Sequence, residues 1–332
     1  MRAPLIAFSL ALLLPLAASA QALSDLGTSF GNTASFTVSV APQYPAPQSS
    51  ATLSFLSGSL DLTNAMLAVS VGGKALYQGS VRPVAVPLGK AGSITTIVAT
   101  MTIGSMQYTQ SLSIQPQEVT LIAEPIASVP PLYPGKPSVP LEGKVRVVAV
   151  ANLRNESGAS INPTMLSYEW TVDGARIANS SGIGKSALMV ASPLQYRARD
   201  VSVTVTGSNG SLVGGTSISL SSREPSLRIY ENDPLLGIRF ERALSGEYAI
   251  PSEATLFGAP FSLPLSGGAL SLRWLLNGAV AQTGSSITLR PTGKGQGAAT
   301  LSFTASAGSF TSATLDLPLS FGAKPSSNFF GL

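Results

Sequence analysis

The sequence predicts an all-β chain of three sandwich units in tandem, on three observations. Two short markers recur in register three times, the runs between them alternate apolar and polar residues with period two, and no long amphipathic helical period follows residue 20. A strand points successive side chains to opposite faces, so this alternation is what a sheet with one buried face requires. Length agrees, because 332 residues exceed the roughly 250 that one hydrophobic core sustains.

The first marker is an apolar strand that runs into a two-residue turn: Leu67-Ala-Val-Ser-Val-Gly-Gly73, Leu166-Ser-Tyr-Glu-Trp-Thr-Val-Asp-Gly174 and Leu270-Ser-Leu-Arg-Trp-Leu-Leu-Asn-Gly278. Gly-Gly, Asp-Gly and Asn-Gly accept the positive φ of a tight hairpin. Gly73, Asp173, Gly174, Asn277 and Gly278 are therefore assigned to hairpin turns. The three final glycines are 101 and 104 residues apart (174 − 73 and 278 − 174). Four residues before each stand Val69, Trp170 and Trp274. An immunoglobulin-like sandwich carries its buried strand tryptophan at this place, so all three are assigned to cores, with a sugar-stacking platform as the other reading of the tryptophans.

The second marker is Ile103-Gly104-Ser105, Asn209-Gly210-Ser211 and Ala307-Gly308-Ser309. Gly104, Gly210 and Gly308 each sit between strand-like runs, of which 201–206 and 300–305 alternate most regularly. A third marker, Pro42-Gln-Tyr-Pro45, Pro131-Leu-Tyr-Pro-Gly135 and Pro234-Leu-Leu-Gly237, is rich in proline, which cannot donate to a sheet ladder. These pieces are expected to be extended linkers or edge entries that open the units and mark the joints.

The start of the chain reads as an address. Arg2, the apolar run from Leu5 to Leu16 and Ala18-Ser19-Ala20 fit a cleavable signal peptide over residues 1–20, with a mature chain from Gln21. The run is shorter than the roughly 20 residues of a membrane span, and no later segment comes close, so no span is expected in the mature chain. Export to the cell envelope or the extracellular space follows. The remaining 312 residues (332 − 20) divide into immunoglobulin-like units of the usual roughly 100 residues. The boundaries fall at 22–117, 118–222 and 223–323, with a flexible tail over 324–332.

Composition removes most chemistry. Cysteine and histidine are absent, which excludes disulfides, thiol nucleophiles, Cys-rich metal sites and a Ser-His-Asp triad. Charged residues make up 11% of the chain, against roughly 25% in an ordinary soluble domain. The 20 basic residues against 16 acidic ones are scattered singly, so no nucleic-acid footprint is present. Glu118, Glu124, Glu224, Glu231 and Asp233 cluster near the boundaries, where calcium needs six to eight oxygens. Their spacing matches no calcium loop, so they are assigned to solvated surface. Lys136, Lys185 and Lys294 lie near serines or glycines, but a Ser-Lys mechanism needs a buried, neutral lysine. Gly293-Lys-Gly-Gln-Gly297 lacks the full phosphate-loop pattern and is read as a turn. Asn155, Asn179 and Asn209 match the glycosylation sequon and are read as polar turns. No catalytic residue, cofactor or metal is expected, and no enzyme activity.

The strands Trp170-Thr-Val-Asp-Gly174 and Trp274-Leu-Leu-Asn-Gly278, with alternating Val/Thr/Ser strands and Gly-Ser hairpins, resemble bacterial tandem immunoglobulin-like, PKD-like exported surface modules over almost the whole mature chain. Val129-Pro-Pro-Leu-Tyr-Pro-Gly-Lys136, the segment from Pro225 to Gly237 and Phe257-Gly-Ala-Pro-Phe261 resemble uncharacterised exported proteins of small-genome candidate-phylum bacteria. The Trp-x-Phe-Gly-Asp-Gly signature of PKD modules is replaced here by Asp173-Gly174 after Thr171-Val172. The resemblance implies general immunoglobulin-like architecture and a surface location.

The sequence thus leads to a non-catalytic, rod-like spacer, adhesive or envelope scaffold whose partners are other cell-envelope proteins or surface polysaccharide. The other reading is a glycan-binding module, with Tyr44, Tyr133 or Tyr230 stacking on sugars instead of packing over the joints.

Overall fold

The computed structural model describes residues 36–322 except 251, 294, 295 and 310. Residues 1–20, expected to be a signal peptide, and 324–332, expected to be a flexible tail, lie outside the described residues. Apart from two single-turn 3-10 segments, the described regular structure is β.

Unit 1 holds β1 (Thr37–Ala41), β2 (Ser50–Leu56), β3 (Met66–Val71), β4 (Lys74–Ser80), β5 (Val84–Pro87), β6 (Thr95–Ile103) and β7 (Met106–Ile114). Unit 2 holds β8 (Glu118–Pro125), β9 (Lys144–Asn152), β10 (Ser167–Val172), β11 (Ala175–Arg176), β12 (Gly182–Ile183), β13 (Ala187–Ala191), β14 (Ala198–Thr206) and β15 (Val213–Ser221). Unit 3 holds β16 (Ser226–Asp233), β17 (Gly237–Ala243), β18 (Tyr248–Ile250), β19 (Ala254–Phe261), β20 (Ser271–Leu276), β21 (Ala279–Thr283), β22 (Ser286–Leu289), β23 (Gly297–Ala307) and β24 (Thr311–Phe321).

All three units repeat one frame. The first sheet runs β1-β2-β5, β8-β9-β13 or β16-β19-β22, and the second runs β4-β3-β6-β7, β11-β10-β14-β15 or β21-β20-β23-β24. Unit 3 adds β17 beside β16 and β18 parallel to β24. An immunoglobulin constant-type sandwich places its fourth strand in the first sheet. Here the fourth strand stays beside the third, and the turn is the reason. Gly72 and Gly73, Asp173 and Gly174, and Asn277 and Gly278 all have positive φ, between 48° and 82°, the signature of a two-residue I′ turn. Such a turn leaves no length to cross between sheets, so Val71 pairs with Lys74, Val172 with Ala175 and Leu276 with Ala279.

Asp173 and Asn277 do a second task. Asp173 Oδ1 accepts from Asp200 N at 2.9 Å, and Asn277 Oδ1 accepts from Thr300 N at 2.9 Å. Each backbone N–H returns a bond to the same residue, to Asp200 O at 2.8 Å and Thr300 O at 2.9 Å. The turn is thereby pinned to the strand beside it. Asn277→Gly keeps the positive φ and loses only the side-chain bond, so denaturant unfolding of unit 3 is expected to show a loss of about 1 kcal/mol.

The two sheets of each unit close over an apolar core. Unit 1 is filled by residues including Phe36, Leu53, Leu67, Ile97 and Met101, unit 2 by Leu153, Leu166, Tyr168 and Trp170, and unit 3 by Ile229, Trp274 and Phe303. With no disulfide to constrain them, these cores carry each unit's stability. Tyr168 is buried in unit 2 with its hydroxyl donating to Pro163 O at 3.1 Å. Burial raises its pKa above the ordinary tyrosine value. A raised folded pKa means that this contribution to stability is complete below the unfolded value, roughly pH 10, and is lost as pH rises through the folded one. Unit 2 is therefore expected to lose stability on strong alkalinisation, and Tyr168→Phe to flatten that dependence in a pH series of melting curves.

The proline-rich pieces lie elsewhere than expected. Each falls after the first strand of its unit: 42–45 lies between β1 and β2, 131–135 between β8 and β9, and 234–237 forms the turn between β16 and β17. The connections between units lie at 115–117 and 222–225. Proline marks where a ladder must stop, and both an internal loop and a joint meet that requirement.

Candidate functional site

The residues singled out in the sequence lie in three settings: cores, turns and joints. Trp170 and Trp274 are 0% exposed. The Trp170 indole N–H donates to Lys185 O at 2.9 Å and that of Trp274 to Gly284 O at 3.0 Å, so neither ring carries an unmet donor. Trp274 also lies against Phe303, with ring centroids 4.4 Å apart. Both rings are enclosed, which leaves no face for a sugar. Val69 is buried in unit 1 between Tyr77 on β4 and Ala99 on β6. Gly104, Gly210 and Gly308 have φ of 58°, 73° and 64° in the connections between the last two strands of their units.

The joints bring together what the sequence left dispersed. Between units 1 and 2, the Tyr44 hydroxyl lies 3.2 Å from Thr204 Oγ1. Its ring covers Gly215, where an added Cβ would come within 2.6 Å of ring carbons. Gly92, at φ +82°, fits against the carbonyl oxygens of Arg154 and Asn155, 2.4 Å from where a Cβ would reach the latter. The connecting segment is tied on both sides. Gln115 Nε2 donates to Gly92 O at 2.8 Å, while Gln117 Nε2 donates to Arg154 O and its Oε1 accepts from Arg154 N.

Between units 2 and 3, Ser128 makes three bonds to the β19–β20 loop. Its N–H donates to Leu263 O at 2.8 Å, its carbonyl accepts from Ser262 N at 3.0 Å, and its Oγ accepts from Leu263 N at 3.0 Å. Leu265 N donates to Ile126 O at 3.0 Å, and Tyr133 meets Phe261 edge-on at 5.7 Å between centroids. Thr311 Oγ1 donates to Glu142 Oε2 at 3.2 Å.

The three candidate tyrosines fare differently: Tyr44 and Tyr133 make contacts across the joints, as expected, and Tyr230 does not. Tyr230 does not flank a joint. It lies on β16 in a small cluster with Phe240 and Phe257 and is only 8% exposed, so it offers no stacking surface. Tyr44 is committed to Gly215 and Thr204. Tyr133 keeps one exposed face beside its contact with Phe261.

The acids near the boundaries already have partners. Glu118 accepts from Asn152, Glu124 pairs with Arg146 at 2.9 Å, Glu224 accepts from Gln195 and Glu231 faces Arg239 at 3.7 Å. Asp233 Oδ1 accepts from the N–H groups of Leu236 and Leu235, which hold its carboxyl below the usual range. Among the described residues no group of three or more acids is arranged to hold a metal ion. Lys136 and Lys185 are exposed, and Lys185 Nζ donates to Asn179 O, so neither is the buried neutral base that a Ser-Lys mechanism needs. Lys294 lies outside the described residues. Asn155 and Asn209 accept bonds from their own turns, at Ala159 N and Ser211 N.

The sequence pointed to the tryptophans and turn glycines because their signals are local. It did not point to Ser128, Gly92 or Gly215, whose roles depend on neighbours from another unit. Their only signal is the short, proline-containing connection nearby.

No protein-family model matches the chain, and no curated protein sequence matches it. Among solved structures, the three N-terminal domains of the bacteriophage RB49 Highly Immunogenic Outer Capsid protein align over 86% of this chain and 99% of theirs, at 9% identity and a TM-score of 0.25. The central fibronectin-III array of RIM-binding protein aligns over 88% and 99%, at 11% identity and a TM-score of 0.28. The fibronectin(III)-like modules of Clostridium thermocellum CbhA align over 59% and 95%, at 10% identity and a TM-score of 0.22.

Proposed function

We propose that this chain is a non-catalytic exported protein that acts as a spacer, adhesive or scaffold at the cell surface, resembling bacterial tandem immunoglobulin-like modules. The observation that carries the reading is the construction of the joints. Gly92, Gly215 and Ser128 are fitted to the neighbouring unit, so the sequence spends its special residues on holding sandwiches in series. Weakly coupled beads would not need such fitting, because domains in one chain move relative to one another unless the interface holds them. The rest of the surface supports the same reading. It is sparingly charged, and acids such as Glu124, Asp173, Asp233 and Glu253 are engaged in pairs and turns.

Fractionation of the native organism with protease shaving, followed by crosslinking mass spectrometry, tests this. Recovery in an envelope fraction, protease-accessible and crosslinked to surface proteins, is expected. Recovery in the cytoplasm would overturn the reading.

A further inference from the structure

At both internal joints the loop after a unit's first strand touches the next unit and the start of the receiving unit's last strand takes part, and among the described residues the corresponding loop of unit 3 and the corresponding strand start of unit 1 are exposed. The first place is the tip of the proline-rich loop. Two residues after its first proline stand Tyr44, Tyr133 and Leu236. Tyr44 seats on unit 2 and Tyr133 touches Phe261 of unit 3, whereas Leu236 is 78% exposed. Its turn is fixed, because Asp233 Oδ1 accepts from Leu235 N at 2.8 Å and Leu236 N at 3.0 Å.

The second place is the start of the last strand of the receiving unit. Val213, Thr311 and Met106 open β15, β24 and β7 at equivalent positions, paired with Thr206, Ala307 and Ile103. In unit 2, the third residue of β15, Gly215, receives Tyr44, and in unit 3 Thr311 binds Glu142 of unit 2. In unit 1, Met106 is 64% exposed, and Met66 and Leu56 are exposed at the same end. Within the chain these places are engaged through Tyr44 on Gly215 and Thr204 and through Glu142 on Thr311, whereas the exposed tip and the exposed strand start are both apolar, with Leu236 at one end and Met106 beside Met66 at the other.

We propose that copies of this chain associate head to tail, with the 234–237 turn of one copy, led by Leu236, seated on the Met66 and Met106 end of unit 1 of the next. The contact is heterologous, so it propagates into open filaments unless the rotation between copies closes a ring. It continues between chains the arrangement that already joins units within one, and it goes beyond the surface role proposed above without depending on it.

Sedimentation velocity of the chain from residue 21 to 332, which holds every described strand, tests this. The wild type is expected to sediment faster as concentration rises, passing beyond a dimer. Leu236→Asp and Met106→Asp each remove one exposed apolar side chain and are expected to be monomeric with unchanged melting temperature. Mixed together they are expected to form a dimer and stop, because each retains one intact end. The proposal is overturned by a wild type that stays monomeric, by variants that assemble as the wild type does, or by a mixture that stays monomeric. It is also overturned if deletion of residues 323–332 abolishes assembly while Leu236→Asp does not, which would give the contact to the tail.

Discussion

Trp170→Ala is expected to destabilise unit 2 by about 3–5 kcal/mol while unit 3 unfolds as before, and Trp274→Ala to do the reverse. Both rings are fully enclosed, so truncation leaves a large void as well as an unpaired carbonyl, on Lys185 or Gly284. The Trp274 variant has a further cost, because Phe303 loses the ring it lies against and is already confined by Gly258, where an added Cβ would approach within 2.4 Å. The chain supplies its own reporter. With only two tryptophans, each variant leaves one, so fluorescence in a denaturant series follows the unaltered unit and circular dichroism follows the whole. Equal shifts of both transitions would show that the units do not fold on separate cores.

Ser128→Ala is expected to weaken the joint between units 2 and 3 by about 1–3 kcal/mol, because it leaves the buried Leu263 N–H without an acceptor. Ser128→Pro removes the donor to Leu263 O as well and is expected to free the joint altogether. Ser128 itself belongs to none of the apolar cores, so each unit's own melting transition is expected to hold while limited proteolysis begins to cut near residues 222–225. Resistance equal to that of the wild type would mean that these bonds do not couple the units.

The parts of this architecture that are legible in the sequence are local. Gly72-Gly73, Asp173-Gly174 and Asn277-Gly278 announce I′ turns because these are among the few pairs that tolerate two positive φ angles. The same turns, taken seriously, also dictate that the fourth strand stays with the third. Trp170 and Trp274 are legible because they stand on an alternating strand, whose inward phase is set by its neighbours. The proline-rich pieces misplace the joints along the chain, although Tyr44 and Tyr133 within them do touch the next unit. Proline states what its own backbone does and not which unit its loop belongs to. The strands β17 and β18 carry no signal of comparable strength. One pairs with β16 through a bulge near Tyr230, and the other is three residues long and pairs, among the described strands, with β24 alone. Gly92 and Gly215 look like any other glycine until the opposing unit is placed against them.

Fitted joints that hold three sandwiches in series fix the distance between units 1 and 3. The absence of cysteine makes it directly measurable, since S111C on β7 and S312C on β24 introduce the only two labelling sites, both on exposed outer strands. Electron–electron double resonance between spin labels at these sites is expected to give one narrow distance distribution, which Ser128→Pro or Tyr44→Ala broadens. A broad distribution in the otherwise unaltered chain would contradict the account, because the joints would then be tethers.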